Sequence, residues 1–510
     1  MIVAAGLLAG LAGACGSSSG SGDESRASGA SGERTGLRAA GDLDWKTCKP
    51  KTTGSATATG VLRWECATLQ VPLDHEKPDG EKIGLAMIRT RAADEDKRLG
   101  SLLFNFGGPG GSGVDTLPSA ANLFETLRTR YDLVSFDPRG VGASEGVRCL
   151  NNKQLDAYFA ADNTPDTPAE ERAYVRNIKR FNAACERNSG AVLPYVGTED
   201  AARDMDRMRA ALGDDKLHYF GISYGTELGG VYAHLFPKNV GRAVLDSAVD
   251  PTLDAVQSSL AQAKGFQLAL DNYTKDCAAQ GEDCPLGEDP QEAAKKVADL
   301  IKRLDSTPFP GIGDRETTQA LAVSGIAQAL YSQDFWPILS EALEEANTED
   351  GRLLMALADA LNGRDENGEY STLQSSFTAI GCADSSERPT TEDVQELLPE
   401  FEKASPAFGP FMAWSLLSCT DWPVKGAWKT PDVSAKGSDP ILVVGTTNDP
   451  ATPYSGTKHM VEELGEGVGY QLTNEGEGHG AYTGGSTCVR EAVDAYLFEG
   501  TLPEEGATCR

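Results

Sequence analysis

Short apolar runs and amphipathic stretches alternate along most of this chain. The runs 83–91, 101–106, 131–136, 217–220, 243–245, 441–445 and 470–472 are rich in aliphatic and aromatic residues, several are followed directly by glycine or aspartate, and each predicts a strand. Between them the period changes from two to about 3.6. In 198–212, Ala201, Met205, Met208 and Leu212 recur at spacings of 4, 3 and 4, which places them on one helix face. The run 441–445 (ILVVG) is apolar throughout, as a strand buried on both faces requires. Apolar strands alternating with amphipathic helices predict an α/β fold, its sheet mostly parallel and covered by helices on both faces.

The segment 254–430 breaks this rhythm. It holds long helical patterns and few strand-like runs. One pattern spans 290–304. Another spans 334–346, where Asp334 is expected to cap the helix, Pro337 suits its first turn, and Trp336, Leu339, Leu343 and Ala346 share a face. We read 254–430 as a helical cap inserted between two parts of one α/β core, 43–253 and 431–510. No internal repeat is visible.

The first residues read differently again. Residues 2–14 (IVAAGLLAGLAGA) carry no charge, but 13 residues fall short of the roughly 20 that a membrane-spanning helix needs. They fit the apolar region of a secretory leader, 1–15, although no basic residue precedes them. Ala12-Gly13-Ala14 resembles an ordinary leader cleavage site. Leu11 to Cys15 resembles an imperfect lipobox, which would make Cys15 a lipidated N-terminus. Residues 16–42, rich in glycine, serine and charge, read as a flexible tether.

Of 11 cysteines, setting Cys15 aside leaves ten, an even number that suits an oxidising compartment. Connectivity does not follow from sequence; pairing neighbours gives Cys48–Cys66, Cys149–Cys185, Cys277–Cys284, Cys382–Cys419 and Cys488–Cys509. A metal site is not expected, because no C-x-x-C occurs and the histidines do not cluster near cysteines. Acidic residues outnumber basic ones, 76 to 46, for a net charge of −30. That disfavours nucleic acid and an anionic membrane surface as partners. We expect a secreted or cell-surface monomer that touches the membrane only through a lipid on Cys15.

The chemistry centres on Gly221-Ile222-Ser223-Tyr224-Gly225. This G-x-S-x-G follows a predicted strand and precedes a predicted helix, 226–235, the setting of a nucleophile elbow. A serine needs a base, and there are five histidines: His75, His218, His234, His459 and His479. In the order Ser, Asp, His the base comes last. His459 sits within a predicted helix, 454–464, whereas His479 sits in a glycine-rich loop after the last strand. His479 is the expected base. Asp449 follows the 441–445 strand and is the expected orienting acid; Asp439 precedes that strand, at the wrong edge. An oxyanion hole would use the N–H of Tyr224 and one from the loop 105–113 (NFGGPGGSG), where Gly107 and Gly108 are candidates and Gly108 is preferred. No Gly-Lys-Ser/Thr follows that loop, so it is not a phosphate cradle, and no cofactor is expected.

Together NFGGPGGSG (105–113), FDPRGVGAS (136–144), GISYG (221–225), TNDPATP (447–453) and EGHGAY (477–482) resemble the α/β-hydrolase exopeptidases, and most of all the secreted tripeptidyl aminopeptidases of actinomycetes. The resemblance runs from about Trp45 to the C-terminus. Prolyl aminopeptidases usually carry histidine before GGPG, where this chain has Phe106, so the tripeptidyl branch is the nearer. The resemblance implies an α/β-hydrolase fold and acyl transfer on peptides with a free N-terminus. It also implies a carboxylate that holds the substrate ammonium roughly 10 Å from Ser223, at about 3.3–3.6 Å per extended residue. Glu227, one helical turn beyond Ser223, is the first candidate, ahead of Glu341, Glu344 and Glu345 on a cap helix. Two other functions stay open: a carboxylesterase or lipase using the same three residues, and a catalytically silent binding protein, which an intact triad disfavours.

Overall fold

The computed structural model describes residues 43–51 and 62–510; the expected leader and tether, with Cys15, lie outside them. Among these described residues twelve strands form in chain order. They are β1 (Lys46–Thr47), β2 (Glu65–Pro72), β3 (Lys82–Thr90), β4 (Gly100–Asn105), β5 (Tyr131–Phe136), β6 (Leu217–Ile222), β7 (Val240–Asp246), β8 (Phe309–Pro310), β9 (Glu316–Thr317), β10 (Ile441–Asn448), β11 (Gly469–Glu477) and β12 (Thr508–Cys509). Ten of them make one sheet in the order β1-β2-β3-β5-β4-β6-β7-β10-β11-β12. From β5 to β12 neighbouring strands are parallel, and β1, β2 and β3 join antiparallel at one edge.

The central strands show why the pattern reads as it does. Every residue of β4 and β5 is buried. Successive side chains enter different cores, because they alternate across the sheet. Leu103, Tyr219, Leu245 and Val443 pack on one face, and Phe104, Phe220, Val244 and Leu442 on the other. Strand β2, which lies next to the short edge strand β1 and which the apolar-run pattern does not predict, buries Ala67, Leu69 and Val71 and exposes Thr68 and Gln70. Its alternation belongs to a strand with one solvated face.

The sheet with helices on both faces is the α/β-hydrolase fold. Between β7 and β10 the chain builds a helical layer with its own hydrophobic core. Its first helix, Ala255–Ala278, is closed by a reciprocal Asp254–Gln257 capping box. The core of this layer also takes Ile178, with Tyr174 and Val175 packed against it, from the helix Pro168–Ser189, which precedes 254 in the chain. Residues 334–346 form the helix Trp336–Asn347 with Trp336, Leu339, Leu343 and Ala346 buried. Asp334 does not cap it: a short 3-10 turn comes first, and Ser332 accepts from the Asp334 N–H. Five disulfides join Cys48–Cys66, Cys149–Cys185, Cys277–Cys284, Cys382–Cys419 and Cys488–Cys509. Among the described residues no helix is long and apolar enough to cross a membrane.

Candidate active site

Ser223 stands alone in the turn between β6 and the helix Tyr224–Leu235. Its backbone, φ 59° and ψ −125°, lies where L-residues are strained. Three hydrogen bonds hold it there. Its N–H donates to the Asp246 carbonyl at 3.0 Å, and its own carbonyl accepts from the N–H and Oγ1 of Thr226 at 2.8 and 2.6 Å. Glycine is required on both sides by close approach. A Cβ at 221 would lie 2.3 Å from the Gly225 carbonyl oxygen, and one at 225 would lie 2.6 Å from that of Asn105.

Two strands further along the sheet edge, beyond β7, Asp449 follows β10 and is 2 % exposed. Its carboxylate accepts from the N–H groups of Ala451 and Thr452 and from Thr452 Oγ1, each at 2.9 Å. His479, in the loop after β11, brings Nδ1 to 2.9 Å from both carboxylate oxygens. Nδ1 therefore carries the hydrogen, since an ionised carboxylate only accepts. Nε2 is left as the basic nitrogen; it is buried and has no partner among the described residues. Thr452 Oγ1 also lies 3.3 Å from Nδ1, so this side chain touches both members of the pair.

The glycine loop after β4 discriminates between its own donors. The Gly107 N–H is taken by Asn105 Oδ1 at 2.9 Å. No described protein atom accepts from the N–H of Gly108 or of Tyr224. Both groups sit at ends of adjacent strands, β4 and β6.

Residues that the sequence does not single out pin these loops. Asp246, at the end of β7, is fully buried, and its carboxylate accepts from the N–H groups of Ala481 and Tyr482 at 2.9 Å each. Burial pushes its carboxyl up to about 6, against the pull of those two hydrogen bonds. Ser247 Oγ accepts from the Gly480 N–H at 2.8 Å. From the cap, the Tyr331 carbonyl accepts from the His479 N–H at 2.9 Å, and its ring lies edge-on to the imidazole at 5.5 Å. Asn272 of the Ala255–Ala278 helix donates to Glu477 at 3.0 Å, and Gly265 of that helix lies so close to Pro450 that a Cβ would meet its carbonyl oxygen at 2.4 Å.

The other histidines have partners of their own. His75 contacts Asp204, His459 contacts Asp250, and His234 contacts the Ser434 carbonyl. His218 lies in β6, where burial pushes it down to about 4. Glu227 is partly buried; burial first, then the Asp384 charge, pushes its carboxyl up to about 8. Glu341 and Glu344 are exposed and Glu345 partly buried. None of these four glutamates lines the cavity described next. That cavity, about 280 Å³, lies between the helical layer and the segment 158–181 and is walled by Phe266, Tyr331, Phe377, Phe408 and Phe411 among others.

Comparison with known proteins agrees with this architecture. Residues 405–509 match the family model described as TAP-like protein. Serine protease Hip1 of Mycobacterium tuberculosis is 37 % identical over 92 % of this chain and 91 % of its own. Carboxylesterase B of the same species is 35 % identical over 91 % of this chain and 89 % of its own. Tripeptidyl aminopeptidase of Streptomyces coelicolor is 30 % identical over 92 % of this chain and 86 % of its own. With such identity across nearly its whole length, the chain belongs to the tripeptidyl-aminopeptidase-like family of α/β-hydrolase enzymes.

Proposed function

We propose that this protein is a serine peptidase that releases short peptides from the free N-termini of its substrates, with Ser223 as nucleophile, His479 as general base and Asp449 as orienting acid. The observation that carries the reading is the His479 imidazole itself: Asp449 fixes its Nδ1–H, and its Nε2 has no partner among the described residues. Ser223 Oγ attacks the scissile carbonyl carbon while its proton passes to Nε2. The oxyanion that forms is met by the N–H groups of Gly108 and Tyr224, which no described protein atom accepts from. The C–N bond then breaks, and the imidazolium returns the proton to the departing amine. Water, activated by the same nitrogen, hydrolyses the acyl ester and frees Ser223. Throughout, Asp449 stabilises the imidazolium and stays ionised. The relatives named serine protease and tripeptidyl aminopeptidase support peptides as substrates.

A carboxylesterase is the second reading, favoured by the relative of that name, because the same residues would cleave an ester. Peptides of increasing length, each with free and acetylated N-termini, separate the two when products are weighed by mass spectrometry with Ser223→Ala as blank. Tripeptide release from free N-termini alone supports the peptidase. Ester turnover without any peptide cleavage assigns the esterase. The five disulfides support export to an oxidising compartment. Anchoring through Cys15 is tested by labelling with a fatty-acid analogue, which Cys15→Ala should abolish.

A further inference from the structure

We propose that Thr198 and Asp384 position the oxyanion hole: acting through the Tyr224 hydroxyl, they hold the backbone N–H that follows Ser223, and the helix Leu373–Asp384 links that donor to the glycine loop carrying the other. This rests on the reading of Ser223 as nucleophile and adds the residues that fix the spacing of its two donors.

A chain of short bonds carries the first part. Tyr224 opens the helix after the nucleophile, and its side chain is buried. Its hydroxyl lies 2.5 Å from Thr198 Oγ1, which in turn lies 2.6 Å from one carboxylate oxygen of Asp384. A hydroxyl has one hydrogen to give and an ionised carboxylate only accepts, so Thr198 donates to Asp384 and Tyr224 donates to Thr198. The other Asp384 oxygen accepts from the Thr198 N–H at 2.8 Å. Thr198 begins the helix Thr198–Leu212, whose cap residue, Gly197, has no side chain to offer, and Asp384 supplies the acceptor that this helix end lacks. Thr198 and Asp384 are both buried, so bulk water does not compete for these bonds.

The helix that ends in Asp384 begins at the other donor. Its first turn backs the loop of Gly108: a Cβ on Gly110 would lie 2.7 Å from the Leu373 carbonyl oxygen and 2.8 Å from the Phe377 nitrogen. Thr372 Oγ1 accepts from the Gly142 N–H at 2.8 Å, and Ser376 Oγ donates to the Gly140 carbonyl at 2.6 Å. The Cys382–Cys419 disulfide fastens its last turn. One helix of 12 residues, about 18 Å long, braces both donors. Asp384 belongs to the cap sequence, but neither it nor Thr198 lines the aromatic cavity, and their contacts join them to the sheet edge. An oxyanion donor acts only where charge develops, so a small swing of the Tyr224 N–H costs rate and not substrate binding.

The test uses the full chain at pH 8.5, where Asp384, pushed up to about 7 by burial against the pull of its Thr198 bonds, is ionised. Thr198→Val removes the hydroxyl but keeps the backbone bond to Asp384; Tyr224→Phe removes the other end of the link. Each is expected to lower kcat about tenfold, on peptides and on p-nitrophenyl acetate, with KM held, short of the about 10²–10³-fold that loss of an oxyanion donor costs. Inhibition by phenylboronic acid, whose tetrahedral adduct with serine places an oxygen at the oxyanion position, should weaken by the same factor. Thr198→Ser, which keeps the hydroxyl, should hold kcat within about twofold, and Thr198→Val combined with Tyr224→Phe should cost no more than either alone. Unchanged kcat in Thr198→Val overturns the proposal. So does a rise in KM with boronic acid affinity intact, or losses that multiply in the double variant. Absence of any peptide cleavage by the unaltered enzyme refutes the peptidase reading alone, because ester turnover still reports the two donors.

Discussion

At the sheet edge, the Asp449 carboxylate accepts from two backbone N–H groups, a threonine hydroxyl and an imidazole. The cavity walled largely by the cap offers aromatic rings and, among its described lining residues, one carboxylate, Asp162. The two sides suit different tasks. Fixed dipoles with their bonds already made stabilise charge that appears only in the transition state, without reorganising when it does. An apolar wall stabilises substrate and transition state alike, by removing the same surface from water in each. Changes on the sheet side should therefore appear in kcat, and changes on the cap side in KM.

The sharpest way to break this division is Ser223→Ala, which should lower kcat about 10⁶-fold, as removal of a nucleophile does elsewhere. Any smaller loss would place the chemistry on another residue. Asp449→Asn should cost about 10⁴-fold in kcat with KM nearly constant, because an amide beside Nδ1 no longer enforces the same tautomer. Gly265→Ala probes the seam between the two sides. Its methyl group would strike the Pro450 carbonyl and shift the acid loop, and a displacement near 1 Å costs about 10²-fold in rate. Phe411→Ala removes part of the cavity wall and should raise KM about tenfold for apolar peptides with kcat held; a fall in kcat alone would contradict the division. The smallest effect concerns stability. Glu227, about 8 in the folded protein against 4.5 as the ordinary value, binds its proton more tightly when folded. Its contribution is complete below pH 4.5 and is lost as pH rises through about 8. Melting temperature should fall by a few degrees between pH 6 and pH 9, and Glu227→Gln should flatten that fall.

How much of this was legible beforehand depended on the range of the interaction. Runs such as 131–136 and 441–445 announce buried strands, since burial on both faces leaves no polar position. His479 and Asp449 were readable as a pair because each follows a strand in a loop that can reach the sheet edge. Asp246 was not. It ends a strand too, but its partners Ala481 and Tyr482 lie more than 200 residues away, and nothing local marks the contact. The same holds for Tyr331, whose carbonyl meets His479 only after the cap has folded over the core. Ile178, with Tyr174 and Val175 beside it, joins the core of the helical layer from a helix that precedes 254, a contact no local pattern announces. Asp334 illustrates a local failure: an aspartate before a helical pattern predicts a cap, but Ser332, two residues earlier, opens a tighter turn first.

Asp246 has a consequence for how this enzyme can change. Its carbonyl holds the Ser223 N–H, and its carboxylate holds the backbone just past His479. The serine turn and the histidine loop thus hang from one residue, and neither can drift without dragging on the other. Substitutions placed singly in 224–226 and in 480–482 should not sum when combined, with coupling of about 0.5–3 kcal/mol for sites that share a partner. For evolution or engineering, the two loops form one inherited unit and change together.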